Sequence, residues 1–285
     1  MQVITVRINN NVSALNTQRQ AGLNNNAVAN RLEKLSSGRM INRAADNAAG
    51  LAISEKMRTQ ILGTLTASRN TQDAVSLIQV AEGGLQSIHS MLQRSRELAV
   101  QSANGTNDDS VDRQAIQGEF ENLVAEIDDT ANTTQFNGMN VLDGTNDPVT
   151  IQAGPNADDT VDVNIGAMTA EQLLGQASSE YNASTDANVA TAGAASNAIS
   201  TLDNAINDVS MQRAELGAMQ NRLEFRMQAL DIQAENAQAA ESRIRDTDMA
   251  KMMSELTAKN ILQRASTAML AQANARPQNI VGMLS

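Results

Sequence analysis

A single imidazole, His89, and no cysteine leave this chain little with which to do nucleophilic or metal chemistry. A catalytic base needs a nucleophile within reach, and a zinc site needs three or four nitrogen, sulfur or oxygen ligands. No such cluster accompanies His89, so it reads as a surface or helix-seam histidine. Asp158, Asp159 and Asp162 come nearest to a cation loop, but they lack the ligand spacing and the closing glutamate of a calcium loop. They read as the solvated edge of a hairpin. No enzyme activity and no cofactor or metal are expected.

Composition excludes further classes. The 32 acidic and 21 basic residues give a formal net charge of -11, which repels a nucleic-acid backbone, and no basic stripe offsets it. The absence of cysteine rules out a disulfide framework. No run reaches the roughly eighteen apolar residues of a membrane span, and the first eleven residues lack the apolar core of a signal peptide. Membrane insertion is therefore not expected, and export would need another route. Three Phe, one Tyr and no Trp argue against an ordinary globular core. Ala, Leu, Ile and Met suit narrow helix-helix seams.

Those seams are visible as periodicity. Leu202, Val209, Leu216, Leu223 and Leu230 recur every seven residues, continued by Ala237 and Ile244, with Ile199, Ile206, Met227 and Ala234 three positions before members of the row. Spacings of three and four put these side chains on one helical stripe, with Asp203, Asp208, Glu215, Arg222 and Asp231 elsewhere around the helix. A helix over residues 187–243 would be roughly 85 Å long, more than a compact domain needs. Its partner is a similar stripe of Ile78, Ala81, Leu85, Ile88, Leu92 and Ala99 within residues 51–104. Ile116, Phe120, Leu123 and Ile127 predict a further helix over 112–130, so a bundle is expected.

Two weaker helices flank this bundle. Val12, Leu15, Leu23, Val28, Leu32 and Leu35 form an interrupted pattern whose run Asn24-Asn25-Asn26 has poor helix propensity and needs a partner. A break follows at Ser36, Ser37 and Gly38. Met249, Met252 or Met253, Leu256, Ile261, Leu262, Met269 and Leu270 predict a last helix over 249–284. Paired, the two would leave apolar surface exposed, each Leu or Met of which could recover on the order of 1.5 to 3 kcal/mol in an assembly. Between the arms, Asn137-Gly138 and Asp143-Gly144 open a non-helical centre. There, residues 149–151 and 161–165 alternate like strands around Gly154-Pro155-Asn156.

These residues also carry a resemblance. Ile8-Asn9-Asn10-Asn11, Glu33-Lys34-Leu35-Ser36-Ser37-Gly38, Ile41-Asn42-Arg43-Ala44 and Ala48-Ala49-Gly50-Leu51-Ala52-Ile53 stand near one end. Leu92-Gln93-Arg94-Ser95-Arg96-Glu97-Leu98-Ala99-Val100-Gln101-Ser102-Ala103-Asn104-Gly105 and Phe136-Asn137-Gly138 follow. Ala240-Glu241-Ser242-Arg243-Ile244-Arg245-Asp246-Thr247-Asp248-Met249-Ala250 and Met269-Leu270-Ala271-Gln272-Ala273-Asn274 complete the order. The chain resembles bacterial flagellin, the subunit of the flagellar filament. It departs at Arg39-Met40, where an apolar residue and Arg are usual, and at Asp46-Asn47, in place of a common acidic pair.

The resemblance implies a mainly α fold: a long antiparallel helical rod or coiled-coil bundle built from both termini, with a small central β-hairpin region. Residues 1–45 with 245–285 would line the filament core. Residues 46–244 would form a rod module, with a β and turn region at 137–186 and no large outer domain. It implies a structural subunit that polymerises with copies of itself in the extracellular flagellum, after type III export. An export chaperone near residues 261–284, a filament cap and junction proteins would be partners. Val12, Leu15, Leu23, Leu32, Leu35, Leu256, Ile261, Leu262, Met269 and Leu270 would be the terminal assembly residues. Leu92, Gln93, Arg94, Leu98, Gln101 and Glu119 would contact neighbouring subunits and, in released monomer, the vertebrate innate flagellin receptor. The loops at 36–47 and 137–144 are candidates for adjustable joints, with ordinary connecting loops as the alternative reading. In a bacterial protein, the Asn-x-Ser/Thr triplets at Asn11, Asn104, Asn132 and Asn182 carry little weight. The alternatives are a hook-filament junction protein and, in a different class, a monomeric helical-bundle adaptor, which would show no concentration-dependent polymer.

Overall fold

The computed structural model describes residues 10–108, 111–175 and 188–284. Ile8 and Asn9 of the first motif, the Asn182 triplet and residue 187 lie outside the described residues. Helices dominate: α1 (Val12–Ser37), α2 (Ala48–Ala103), α3 (Asp112–Thr133), α4 (Ala170–Leu174), α5 (Ala192–Arg245) and α6 (Met249–Leu284). Between α3 and α4 lie two antiparallel hairpins, β1 (Gln135–Phe136) with β2 (Met139–Asn140), and β3 (Val149–Gln152) with β4 (Thr160–Val163). The mainly helical expectation and the hairpin around Gly154 hold; α4 and the β1–β2 hairpin were not foreseen. The chain divides into two compact units, Gln60–Glu235, and Met1–Thr59 with Asn236–Ser285.

In the unit Gln60–Glu235, α2 and α5 run antiparallel. Ser68 donates to Asp231 at 2.9 Å, Arg213 pairs with Glu82 at 3.7 Å, and Arg96 with Asp203 at 2.6 Å. Between these ties lies the core. Ile78, Leu85, Ile88 and Leu92 of α2, Leu202, Val209, Leu216 and Leu223 of α5, and Phe120 and Ile127 of α3 are all buried. The seven-residue row of α5 is thus a packed seam, as side chains repeating every two turns must share one face. Leu123 is half-buried at its edge.

The hairpins pack onto this core. Asn137 (φ 51°) and Gly138 (φ 79°) are consecutive residues with positive φ, the requirement of the tightest two-residue hairpin turn, which Asn-Gly meets with little strain. A side chain at Gly84 would meet Leu142 at 2.7 Å and Thr134 at 2.9 Å, so α2 stays bare where the segment after β2 crosses it. In β4, Val161 and Val163 are buried while Thr160 and Asp162 are exposed, a one-faced strand. The Asp159 carboxylate accepts from the Asn156 side chain at 2.9 Å and its backbone N–H at 3.3 Å, closing the turn. Arg226 of α5 donates to the Ala153 carbonyl at 2.9 Å and pins the hairpin.

In the other unit, α1 and α6 also run antiparallel, as shown by contacts from Asn11 to Ala273, Asn24 to Ser266 and Arg31 to Glu255. Gly38, at φ 70°, ends α1 in the left-handed conformation that glycine adopts most readily. The chain then pairs with the start of the return. The Met40 N–H donates to the Arg245 carbonyl at 2.7 Å, and the Thr247 N–H to the Gly38 carbonyl at 3.0 Å. Both residues of the Asp46-Asn47 departure use their side chains to hold backbone N–H groups. Asp46 accepts the Asn42 and Arg43 N–H groups at 3.1 Å each and pairs with Lys34. Asn47 accepts the Gly50 N–H at 2.9 Å in the first turn of α2.

Candidate assembly interface

The terminal helix pair inverts the usual amphipathic arrangement. On α1, buried and half-buried positions recur at alternating intervals of three and four: Ala14, Thr17, Ala21, Asn24, Val28, Arg31 and Leu35. On α6 the corresponding row is Met252, Leu256, Lys259, Gln263, Ser266, Leu270 and Ala273. Both rows have the 3.5-residue period of a two-helix seam, but most of their members are small or polar. The Asn24 amide, 5% exposed, donates to Ser266 Oγ at 2.8 Å, and the Ser266 hydroxyl donates to the Leu262 carbonyl at 2.7 Å. Arg31 Nε meets Glu255 Oε2 at 3.0 Å.

The large apolar side chains point the other way. Val12, Leu15, Leu23 and Leu32 of α1, with Ile261, Leu262 and Met269 of α6, are exposed, Leu15 at 63% and Ile261 at 62%. Of the ten terminal residues singled out from sequence, only Leu35, Leu256 and Leu270 are half-buried in the seam rows. The apolar pattern of α1 is therefore not the stripe that binds α6. Two helices meeting through Ala21 and Asn24 approach where side chains are short, which turns the leucines outward. Such a surface is unusual on a stable monomer.

A second surface lies on α2 and α3 within the other unit. Arg94 donates through Nε and Nη2 to Glu119 Oε1 at 3.0 and 2.8 Å, and through Nη1 to Glu97 Oε2 at 3.0 Å. Its hydrogen bonds to Glu119 and then Glu97 raise the guanidinium pKa. Gln93 and Gln101 are exposed on the same helix. Leu92 and Leu98 differ: at 0% and 1% exposure they belong to the core and hold the helix rather than offer a contact. Here a correction to the sequence expectation is needed, because a surface motif on a helix necessarily includes residues pointing inward at every third or fourth position.

His89 is half-buried, with one ring nitrogen 3.0 Å from the Gln93 amide. Among the described residues, no group of three His, Cys, Asp or Glu is placed to hold a metal ion. Nor, among them, is any helix long and apolar enough to cross a membrane. Sequence reasoning passed over Phe225, one of three phenylalanines, which lies 70% exposed on α5 with Met211 and Ile232 also exposed. The signal was available: all three fall outside the seven-residue row of that helix.

Residues 8–147 match the family model of the bacterial flagellin N-terminal helical region, and residues 199–284 that of the bacterial flagellin C-terminal helical region. Flagellin of Bacillus subtilis (strain 168) is 49% identical, over 98% of this chain and 100% of its own length. Flagellin of Halalkalibacterium halodurans is 50% identical, over 97% of this chain and 99% of its own. A solved structure from Vibrio parahaemolyticus, provisionally described as a flagellar hook-associated protein, superposes with a TM-score of 0.56 at 15% identity. It covers 70% of this chain and 100% of its own, and at that identity it speaks to the fold alone.

Proposed function

Since this chain belongs to the bacterial flagellin family, and is a structural subunit of the flagellar filament rather than an enzyme, we propose that its terminal helix pair drives polymerisation. It does so by burying its outward apolar side chains against other copies. One observation carries this reading: the α1–α6 seam is small and polar, while Leu15, Leu23, Leu32, Ile261, Leu262 and Met269 face outward. Within one chain these side chains stay 47% to 63% exposed. In a filament of heterologous, non-closing contacts the part of each that is still exposed can be removed from water, stabilising the polymer by ~1 to 2 kcal/mol per side chain. Folding of the terminal helices is thereby coupled to assembly, which limits polymerisation before export. In this reading, residues 1–45 with 245–285 line the filament core and residues 46–244 form the helical rod module.

The test is a pair of substitutions, Leu15→Gln and Ile261→Gln, each assayed by sedimentation after addition of filament seeds. Each is expected to raise the free concentration coexisting with polymer by roughly tenfold or more. Thermal unfolding of the unit Gln60–Glu235 should not change. Polymerisation of both variants at the wild-type concentration would overturn the reading.

The finer partners follow from the same reading. The chain is exported through the flagellar type III apparatus to an extracellular position and adds beneath a cap protein, with junction proteins at the filament base. An export chaperone covers residues 261–284; the exposure of Ile261, Leu262 and Met269 supports this. The vertebrate innate receptor recognises released monomer at Gln93, Arg94, Gln101 and Glu119, which are exposed and, in the Arg94–Glu119 pair, held in one geometry by two hydrogen bonds.

A further inference from the structure

Two Asn-Gly pairs occur in the chain, and they sit in unlike backbones. Asn137-Gly138 is the tight turn of the β1–β2 hairpin, with Asn137 at φ 51° between the paired Phe136 and Met139. Asn104-Gly105 lies in the loop between α2 and α3, both residues exposed, with open space where a side chain on Gly105 would stand. An asparagine before glycine can cyclise: the next peptide nitrogen attacks the side-chain carbonyl carbon, and glycine has no Cβ to obstruct the ring.

At Asn104 the surrounding donors address both partners of that attack. The Thr106 N–H donates to Asn104 Oδ1 at 3.3 Å. This bond closes a ring that contains Asn104 Cγ and the Gly105 nitrogen, so it folds the electrophile back over the nucleophile. It also places a donor on the oxygen that turns negative as the nitrogen attacks. Arg113, only 5% exposed, donates through Nη2 to the Asn104 backbone carbonyl at 2.8 Å, and the Asn107 N–H donates to the same oxygen at 3.3 Å. That carbonyl belongs to the peptide whose nitrogen must lose its proton, and a buried guanidinium on the oxygen stabilises the resulting anion. Arg113 Nε donates to the Ser102 carbonyl at 2.8 Å, which holds the guanidinium in place.

We propose that Asn104-Gly105 is a self-modifying site, converted to aspartate and isoaspartate in the folded subunit with Arg113 and the Thr106 N–H as promoting groups. Hydroxide from solvent removes the Gly105 amide proton, and the nitrogen forms a bond to Asn104 Cγ. The bond from Cγ to Nδ2 then breaks, and the leaving nitrogen takes a proton from water, departing as ammonia and returning the hydroxide. Water adds to either carbonyl of the succinimide ring. Opening on one side gives aspartate; on the other it gives isoaspartate, whose main chain runs through the former side chain and is longer by one carbon. The net change consumes water and releases ammonia, with no oxidation or reduction. Either product sets a carboxylate just past the end of α2, where the helix dipole disfavours negative charge. The mark accumulates with the time a subunit has been folded and needs no enzyme.

The full chain is incubated at mildly alkaline pH in heavy-oxygen water, and label uptake at Asn104 and Asn137 is followed by peptide mass spectrometry. A synthetic peptide of residues 101–108 and the chain unfolded in urea give the rate without the fold. Asn104 is expected to convert at least about tenfold faster in the folded chain than in either reference, whereas Asn137, held in its hairpin, converts slowly. In Arg113→Gln the Asn104 rate should fall to that of the peptide or below, while Asn137 stays slow and so reports that the unit is still folded. Gly105→Ala, which the open space admits, should suppress the label at Asn104. Conversion at Asn104 no faster in the folded chain than in the peptide overturns the proposal, as does a wild-type rate in Arg113→Gln. If Arg113→Gln loosens the unit and Asn137 accelerates, the folded wild type against the peptide decides alone.

Discussion

Asn24 of α1 donates its side-chain amide to the hydroxyl of Ser266 on α6 across 2.8 Å, at a position nearly closed to solvent. That hydrogen bond explains how the weakest helical stretch of the chain, Asn24-Asn25-Asn26, is accommodated. One asparagine is placed in the seam, where its polar group has a partner and where it specifies how the two helices align. Asn24→Ala should weaken the terminal pair by about 1 kcal/mol. Asn24→Leu should keep or increase helicity but loosen the register. Amide hydrogen exchange along α1 in the assembled filament checks both: faster exchange is expected for the alanine variant, and slower but less uniform exchange for the leucine variant.

Leu92 and Gln93 are neighbours with opposite environments. Leu92 sits in the core with Ile88 and Leu85, so Leu92→Ala should cost ~2 to 5 kcal/mol by loss of buried area and the cavity left behind. Gln93→Ala, on the exposed side, should change stability by no more than about 0.5 kcal/mol. Urea unfolding of the two variants measures the contrast, and equal effects would contradict the inward placement of Leu92.

Asp46 gives the 38–47 loop a pH dependence. The Arg43 N–H holds its carboxyl below the ordinary value of 3.8; burial opposes this, and the Asn42 N–H and Lys34 add to it. A carboxylate with a lower pKa folded than unfolded stabilises the loop fully above about pH 4, and this stabilisation is lost as pH falls through the folded value. Exchange of the Asn42 and Arg43 amides should therefore show extra opening on acidification below about pH 4, after correction for intrinsic rates. In Asp46→Asn that pH-dependent part should disappear. These hydrogen bonds give the loop an opening that can be titrated.

How much was legible beforehand depended on which forces act locally. The seven-residue row of α5 and the stripe of α2 identified both long helices and the seam between them, because a buried face repeats with the helical turn wherever it packs within the same chain. The Gly154-Pro155-Asn156 turn likewise located the β3–β4 hairpin. α1 misled for the same reason. Its leucines form an apolar pattern, but periodicity reports only that a face avoids water, not which surface will cover it.

Sequence by itself determined the mainly helical class and the family, since these depend on residue types, order and local spacing. Tertiary structure alone decided that α1 and α6 meet through Ala21, Asn24, Met252 and Ser266, that Leu15 and Ile261 face outward, and that Leu92 and Leu98 lie in the core while Arg94 grips Glu119. The reason is geometric. Two helices choose their contact by where backbones can approach most closely, and that choice is a property of the pair, invisible in either helix read alone.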